Sequence, residues 1–160
     1  MGGPRENQHG IRLYFPSEKR FPNMPVAGPD RRFMSMPSYL GGEFNICAVK
    51  WYGSNIENPK RGLPRSIHMI TLNDPNTAQP IAVMSGTLLS AVRTGAAPGV
   101  AAKHLAMKGA SVIGMIGAGV ISRASMLGLA AGLDNINEVK VYDINHEKAE
   151  EFSTEMTNEL

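Results

Sequence analysis

The spacing of apolar and polar positions changes along the chain, and its first part has no regular period. Residues 1–43 are rich in proline and glycine and show no helical repeat. They predict loops with short extended pieces at residues 11–16 and 31–37. Residues 17–30, between these pieces, carry many turn-forming residues and predict an exposed excursion.

The next part has short apolar segments separated by polar loops, which is typical of strands. The six residues 74–79, DPNTAQ, suit a hairpin connection. Together these features predict a small, mostly antiparallel sheet. The three predicted strands span residues 44–52, 66–73 and 80–84.

From residue 86 the composition becomes helical, and Gly95, Pro98 and Gly99 predict a kink or break in that helix. Strands and helices then alternate, which predicts a parallel βαβ unit with a right-handed crossover. The change in composition near Lys108 places a domain boundary between residues 107 and 108. The alternating elements are a strand at 112–116, a helix at 119–132, a strand at 138–143 and a helix at 146–158.

The composition is that of a globular protein, with 42% hydrophobic and 19% charged residues and a net charge of +2 over 160 residues. The basic residues are scattered, so the charge predicts binding to neither nucleic acid nor a membrane surface. Cys47 is the only cysteine, which excludes an internal disulfide and favours an inert thiol in a reducing compartment. With no membrane-length apolar segment and no secretion signal, the prediction is a cytoplasmic protein.

The sequence GAGVIS at residues 117–122 carries the clearest chemistry. Gly117 and Gly119 occupy the first two positions of the G-x-G-x-x-G/A dinucleotide turn, and Ser122 occupies the third. A predicted strand precedes the turn and a helix follows it. Such a turn lets backbone amides at a helix N-terminus approach a pyrophosphate. The alternative is a turn of the same shape that binds no nucleotide.

Asp143 ends the second predicted strand of this unit. An acidic residue there can bind the ribose hydroxyls of NAD and would repel the 2′-phosphate of NADP, so NAD is favoured over NADP. The alternative is that Asp143 only shapes the turn at the strand end. The predicted fold class is α/β: a partial Rossmann NAD(P)-binding unit that follows a mostly antiparallel sheet for substrate binding and dimerisation.

Lys50 and Arg93 are charges in apolar surroundings. Lys50 is either an edge-strand residue that opposes aggregation or a lysine in a ligand pocket. Arg93 either extends to solvent or binds a carboxylate or phosphate. No other metal-ligating residues accompany His68 or His104 in the sequence, so we predict structural or solvated roles for them and no metal site.

Several motifs together resemble the ornithine cyclodeaminase/mu-crystallin family. These are MPSYLGG, AVKWYGSN, GLPRS, IGMIGAGVISRA and the long run LNDPNTAQPIAVMSGTLLSAVRTGAAPGVAAKHLA. The resemblance extends from about Gly10 to near the chain end. It implies a substrate-binding and dimerisation domain at residues 1–107, followed at 108–160 by the first half of a Rossmann domain. Activities in this family include cyclising deamination of ornithine, imine reduction and amino-acid oxidation, and the crystallin branch binds cofactor and a small ligand.

The resemblance also implies roles for individual residues. Lys50 matches the substrate-pocket lysine, with a catalytic role in charge and proton transfer. Arg93 and Arg12 match the arginines that bind the substrate carboxylate. Met36 matches a substrate-contacting methionine, and Thr94 is expected beside the cofactor. For the cofactor, Gly117, Ala118, Gly119 and Val120 match the pyrophosphate turn and Asp143 the ribose-binding acid.

Two departures from the family bear on function. Met34 stands where ornithine-cyclising members carry a glutamate that contacts substrate, which argues against ornithine itself. The sequence supplies two strands of a doubly wound domain that needs about six, and the general base is expected beyond Leu160.

Three hypotheses follow. The first is an NAD-dependent enzyme that oxidises an α-amino acid to an imine, or the reverse, with deamination or cyclisation as possible further steps. The second is a non-catalytic protein that binds NAD(P)H and a small ligand. The third is an inactive fragment. The expected partners are a small amino-acid substrate and a second copy of the chain in a homodimer.

Overall fold

In a computed structural model the chain forms two compact units, Met1–Thr87 and Leu88–Leu160. The structure describes residues 5–7, 11–15, 18, 20–24 and 31–159. The excursion predicted at residues 17–30 falls largely outside these described residues. The sequence-based boundary lay at residues 107 and 108, whereas the first helix groups with the second unit.

The first unit is a six-stranded antiparallel sheet in which β3, β4, β5 and β6 lie side by side in chain order. The strands β1 and β2 both pair with β3, at different parts of its length. The strand bounds are β1 Arg5–Asn7, β2 Ile11–Tyr14, β3 Arg32–Leu40, β4 Ile46–Ser54, β5 Ser66–Asn73 and β6 Pro80–Ser85. A short 3-10 helix, Asn58–Arg61, lies between β4 and β5.

Two expectations about this sheet were wrong. Residues 32–40 form a nine-residue strand rather than a short extended piece. This strand has partners along its length, because β4 pairs with it from Arg32 to Leu40. The edge-strand explanation of Lys50 also fails, because β4 lies between β3 and β5. The hairpin predicted at residues 74–79 is confirmed, since β5 and β6 pair as antiparallel neighbours.

The second unit contains α1 (Thr87–Leu105), β7 (Val112–Ile116), α2 (Val120–Gly132), β8 (Glu138–Tyr142) and α3 (His146–Glu159). The strands β7 and β8 are parallel, which confirms the βαβ prediction. Met126 of α2 and Phe152 of α3 are fully buried, with Ala118 and Met156 beside them. Apolar residues of both strands pack against this cluster.

The sequence predicted a kink or a break in α1; the break was wrong, because the helix runs from Thr87 to Leu105 with Pro98 inside it. Its glycines serve close packing on α2 instead. A Cβ atom added to Gly132 would lie 2.5 Å from the carbonyl oxygen of Gly99. Gly95 makes a similar backbone approach to Ala124. Small residues therefore allow the two helix backbones to touch, which a single sequence cannot reveal.

No helix among the described residues has the length and apolar character needed to cross a membrane.

Candidate functional site

The glycine-rich turn joins β7 to α2, and backbone geometry explains its glycines. Gly117 has a φ of 91°, in the left-handed region that favours glycine. Its N–H donates to the carbonyl oxygen of Tyr142, 2.7 Å away, so the turn is tied to the end of β8. Gly119 is the N-cap of α2, no side chain caps it, and a Cβ added there would meet nothing within 4 Å. The turn thus leaves open space at a helix N-terminus, where an anion is stabilised.

Asp143 follows β8 and bonds directly to this turn. One carboxylate oxygen accepts from the backbone N–H of Ala118 and the other from that of Asn145, both at 2.8 Å. The N–H groups of Asn145 and then Ala118 hold the pKa of Asp143 below its usual range. The side chain is therefore a carboxylate at neutral pH, and its bond to the Ala118 N–H holds it beside the turn.

Arg123 was not singled out by sequence reasoning, yet it holds the same turn from the other side. Its Nη1 donates to the carbonyl oxygen of Ala118 at 2.9 Å, and the guanidinium pairs with Glu155 of α3. The guanidinium carbon lies 5.5 Å from the ring centroid of the buried Phe152. A charge in the otherwise uncharged helix VISRASMLGLAAG was the available sequence signal.

In the first unit, one face of the sheet carries the predicted substrate residues; we call it the lysine face. Lys50 pairs directly with Met36 across β3 and β4, and Arg12 pairs with Met34 across β2 and β3. Directly opposed residues share a face, and Met34 and Met36 lie two positions apart, so all four belong to it. Arg12 is exposed, Lys50 and Met36 are half-buried, and Met34 is only 8% exposed.

A tyrosine at the centre of the lysine face organises the cations around it. The Lys50 ammonium lies 5.8 Å from the ring centroid of Tyr52, within the range of a cation–π contact. The Tyr52 hydroxyl accepts a hydrogen bond from Arg32 Nε at 2.8 Å. His68 stacks on the same ring at 5.0 Å between centroids, with an interplanar angle of 16°.

The remaining predicted site residues lie on α1, in the second unit. Arg93 is exposed there, and Thr94 is half-buried with its hydroxyl donating to the Ser90 carbonyl at 2.6 Å. Cys47 is half-buried on β4 and, by the alternation of the strand, lies on the opposite face from Lys50. The structure therefore groups Arg12, Met36 and Lys50 in one unit. The turn, Asp143, Arg93 and Thr94 belong to the other.

The chain thus combines an antiparallel sheet that has a cationic face with a βαβ unit that has a turn of the dinucleotide-binding type. Proteins with both features are the class to which the chain is compared. The ornithine cyclodeaminase/mu-crystallin family model matches residues 1–160, and the chain belongs to that family. This confirms the family resemblance of the motifs and the α/β fold class.

Similar proteins include dehydrogenases and a reductase, two of them in structures with NAD or NADH bound. N-((2S)-2-amino-2-carboxyethyl)-L-glutamate dehydrogenase of Staphylococcus aureus is 45% identical over 113 residues, covering 70% of this chain and 34% of the relative. Among solved structures, the Thermococcus litoralis Δ(1)-pyrroline-2-carboxylate reductase, in complex with NADH and L-proline, is 38% identical with a TM-score of 0.80. That match covers 97% of this chain and 44% of the reductase.

An archaeal alanine dehydrogenase dimer with bound NAD is 33% identical, with a TM-score of 0.81, over 97% of this chain and 43% of the dehydrogenase. The matched part of the chain covers about a third of the length of the curated relatives.

Proposed function

We propose that the protein binds NAD at the glycine-rich turn and acts on an α-amino acid or the corresponding imine. The observation that carries this proposal is the bond between Asp143 and Ala118 N–H. It sets a charged acid beside an uncapped helix N-terminus, so one small region offers partners for both a pyrophosphate and a ribose. The carboxylate charge opposes a 2′-phosphate, which favours NAD over NADP.

Gly117, Ala118, Gly119 and Val120 would hold the pyrophosphate, and Asp143 the ribose hydroxyls. The chemistry that NAD supplies is hydride transfer at the substrate α-carbon. Thr94 is assigned a place beside the cofactor by its match to the family motif.

On the lysine face, Arg12 would bind the substrate carboxylate, and Lys50 would stabilise charge and exchange a proton with the substrate. Arg93 is assigned to the same carboxylate by its match to the family motif, with Met36 contacting the substrate. Guanidinium groups suit this task because their planar fork matches a carboxylate. Dehydrogenation or imine reduction fits these groups, and a cyclising lyase reaction would need the same first step.

The proposed activity is tested by following NADH formation at pH 9 to 10 with a panel of amino acids, and NADH consumption with Δ(1)-pyrroline-2-carboxylate. The full chain is compared with Lys50→Met and with the control Lys60→Met, whose ammonium is exposed and paired with Glu57. We expect turnover by the parent and by Lys60→Met, and a loss of about 100-fold or more in Lys50→Met. Saturable NADH binding without turnover of any compound would indicate a binding protein instead.

We also propose that the protein associates with a second copy of the chain as a homodimer. The sheet face opposite Lys50, which we call the apolar face, carries large hydrophobic side chains that are exposed in the single chain, including Trp51 at 45% and Val83 at 65%. They border a depression of about 760 Å³. Exposed apolar patches of this kind mark protein interfaces. Together with the single cysteine, which favours a reducing compartment, this fits a cytoplasmic homodimer.

A further inference from the structure

Tyr52 stands at the centre of the lysine face, and the proposed function gives it no contact with the substrate. It lies on β4 two positions after Lys50, so the alternation of the strand places both side chains on that face. The Lys50 ammonium is 5.8 Å from the ring centroid of Tyr52, and the tyrosine itself is half-buried. Its hydroxyl therefore lies in the region of the sheet where the substrate is proposed to bind.

Neighbours on both adjacent strands fix the position of the Tyr52 ring. His68, directly opposite on β5, stacks on the ring at 5.0 Å between centroids. The backbone of His68 is held in turn, because its carbonyl oxygen accepts from the N–H of Gly86 at 3.0 Å. From β3, Arg32 Nε donates to the tyrosine hydroxyl at 2.8 Å. The hydroxyl oxygen thus has a defined place on the face.

The bond from Arg32 determines the direction of the hydrogen bonds at this hydroxyl. A guanidinium has donors only, so the tyrosine oxygen accepts and its own hydrogen is left to donate elsewhere. No second hydrogen bond to the Tyr52 hydroxyl is formed within the described part of the chain. Met34, directly across on β3, offers only a thioether, which is a weak acceptor. Accepting a hydrogen bond from a cation also polarises the hydroxyl, which strengthens it as a donor.

We propose that Tyr52 is a further substrate-binding residue, whose hydroxyl donates a hydrogen bond to the substrate carboxylate. This inference rests on the proposed function and adds a residue to that site. An ionised carboxylate is the strongest acceptor that an amino acid offers, and hydroxyl groups form short, strong bonds to it. Lys50 supplies a charge on a flexible stem, whereas Tyr52 supplies a donor in a fixed position. The carboxylate is then oriented as well as attracted.

The test measures calorimetric binding of L-alanine, L-proline and L-glutamate to the full chain with saturating NADH. Tyr52→Phe removes only the hydroxyl and keeps the ring that stacks on His68. We expect the parent to bind at least one of the three, and Tyr52→Phe to bind it about tenfold or more weakly, as for a lost hydrogen bond to a charged group. The control Tyr39→Phe removes a hydroxyl that donates to Asn45 at 2.8 Å and should change affinity by less than about twofold.

A variant of Arg32 separates direct contact from an effect through the guanidinium. If the hydroxyl binds the carboxylate itself, Tyr52→Phe should still weaken binding by about threefold or more when Arg32→Gln is also present. If the hydroxyl only orients Arg32, the effect of Tyr52→Phe disappears in that background, and the proposal is wrong. Should Arg32→Gln lose its cooperative thermal transition, Arg32→Lys takes its place in the same comparison.

Unchanged affinity in Tyr52→Phe, or binding of none of the three amino acids by the parent, would also overturn the proposal. Titration with NADH alone reports separately on the proposed function, and Tyr52→Phe should leave NADH affinity unchanged. A parent that binds NADH but shows no role for Tyr52 is therefore distinguishable from a chain without the cofactor site.

Discussion

The backbone of Ala118 is held on both sides: its N–H donates to Asp143 and its carbonyl oxygen accepts from Arg123. One charged side chain follows β8 and the other belongs to α2, so the turn is fixed between two elements before any ligand arrives. Preorganised turns avoid the cost of ordering on binding. The conformation of the turn therefore depends on Asp143 and Arg123, and the first two predictions concern these residues.

Arg123→Met should loosen the turn. The substitution removes the bond to the Ala118 carbonyl and leaves that oxygen without the guanidinium partner. We expect NADH affinity to fall about three- to tenfold, in line with the loss of one charged hydrogen bond at a partly exposed site. Glu155→Gln keeps Arg123 and removes only an exposed ion pair, so it should change affinity by less than about twofold. Equal effects of the two variants would show that Arg123 acts through Glu155 rather than through the turn.

The stability of the fold should depend on Asp143 in acid. Because hydrogen bonds lower the pKa of Asp143 in the folded chain, its stabilising contribution is present above the unfolded pKa of about 3.9 and is lost as pH falls through the lower folded pKa. The melting temperature of the parent should therefore fall more than that of Asp143→Asn between about pH 6 and pH 3. Asp134→Asn, at an exposed position after α2, should follow the parent. Parallel curves for the parent and Asp143→Asn would contradict this linkage.

The close approach of α1 and α2 should make Gly95 intolerant of a side chain. A Cβ there would overlap the backbone of Ala124, so Gly95→Ala should lower the free energy of unfolding by about 3 kcal/mol, the upper end of overpacking effects. The control is Gly114→Ala in β7, where an added Cβ meets nothing within 4 Å. We expect that control to stay within about 0.5 kcal/mol of the parent by chemical denaturation. Similar losses in both variants would argue against backbone contact between the helices.

Sequence reasoning succeeded where the signal is local. The bounds of the glycine turn, of both strands beside it and of α2 were predicted to within about one residue. Turn-forming residues and apolar periodicity are properties of neighbouring positions in the sequence. It failed where contacts between residues far apart in the sequence determine the structure. β3 is a full strand only because β4 pairs along it, and Gly95 allows helix packing only because α2 faces it. Arg32 escaped notice for the same reason, since only the register of β3 and β4 brings it to Tyr52.

The apolar face of the sheet should control self-association. Trp51→Glu places a charge among the exposed hydrophobic side chains of that face and should shift the protein from dimer to monomer in analytical ultracentrifugation. Phe44→Glu, in the loop between β3 and β4, is also an exposed aromatic and should leave the dimer intact. A parent that sediments as a monomer, or a Trp51→Glu variant that remains dimeric, would show that this face does not form the interface.

The central claim is that the turn and Asp143 form an NAD site, and a fluorescence titration of the full chain with NADH and with NADPH tests it most directly. We predict saturable binding of one NADH per chain, with NADPH weaker by about tenfold or more because the Asp143 carboxylate repels its phosphate. Asp143→Ala should weaken NADH binding by about tenfold or more and reduce the difference between the two cofactors. Absence of saturable NADH binding by a folded chain, or a cofactor preference that Asp143→Ala leaves unchanged, would contradict the account.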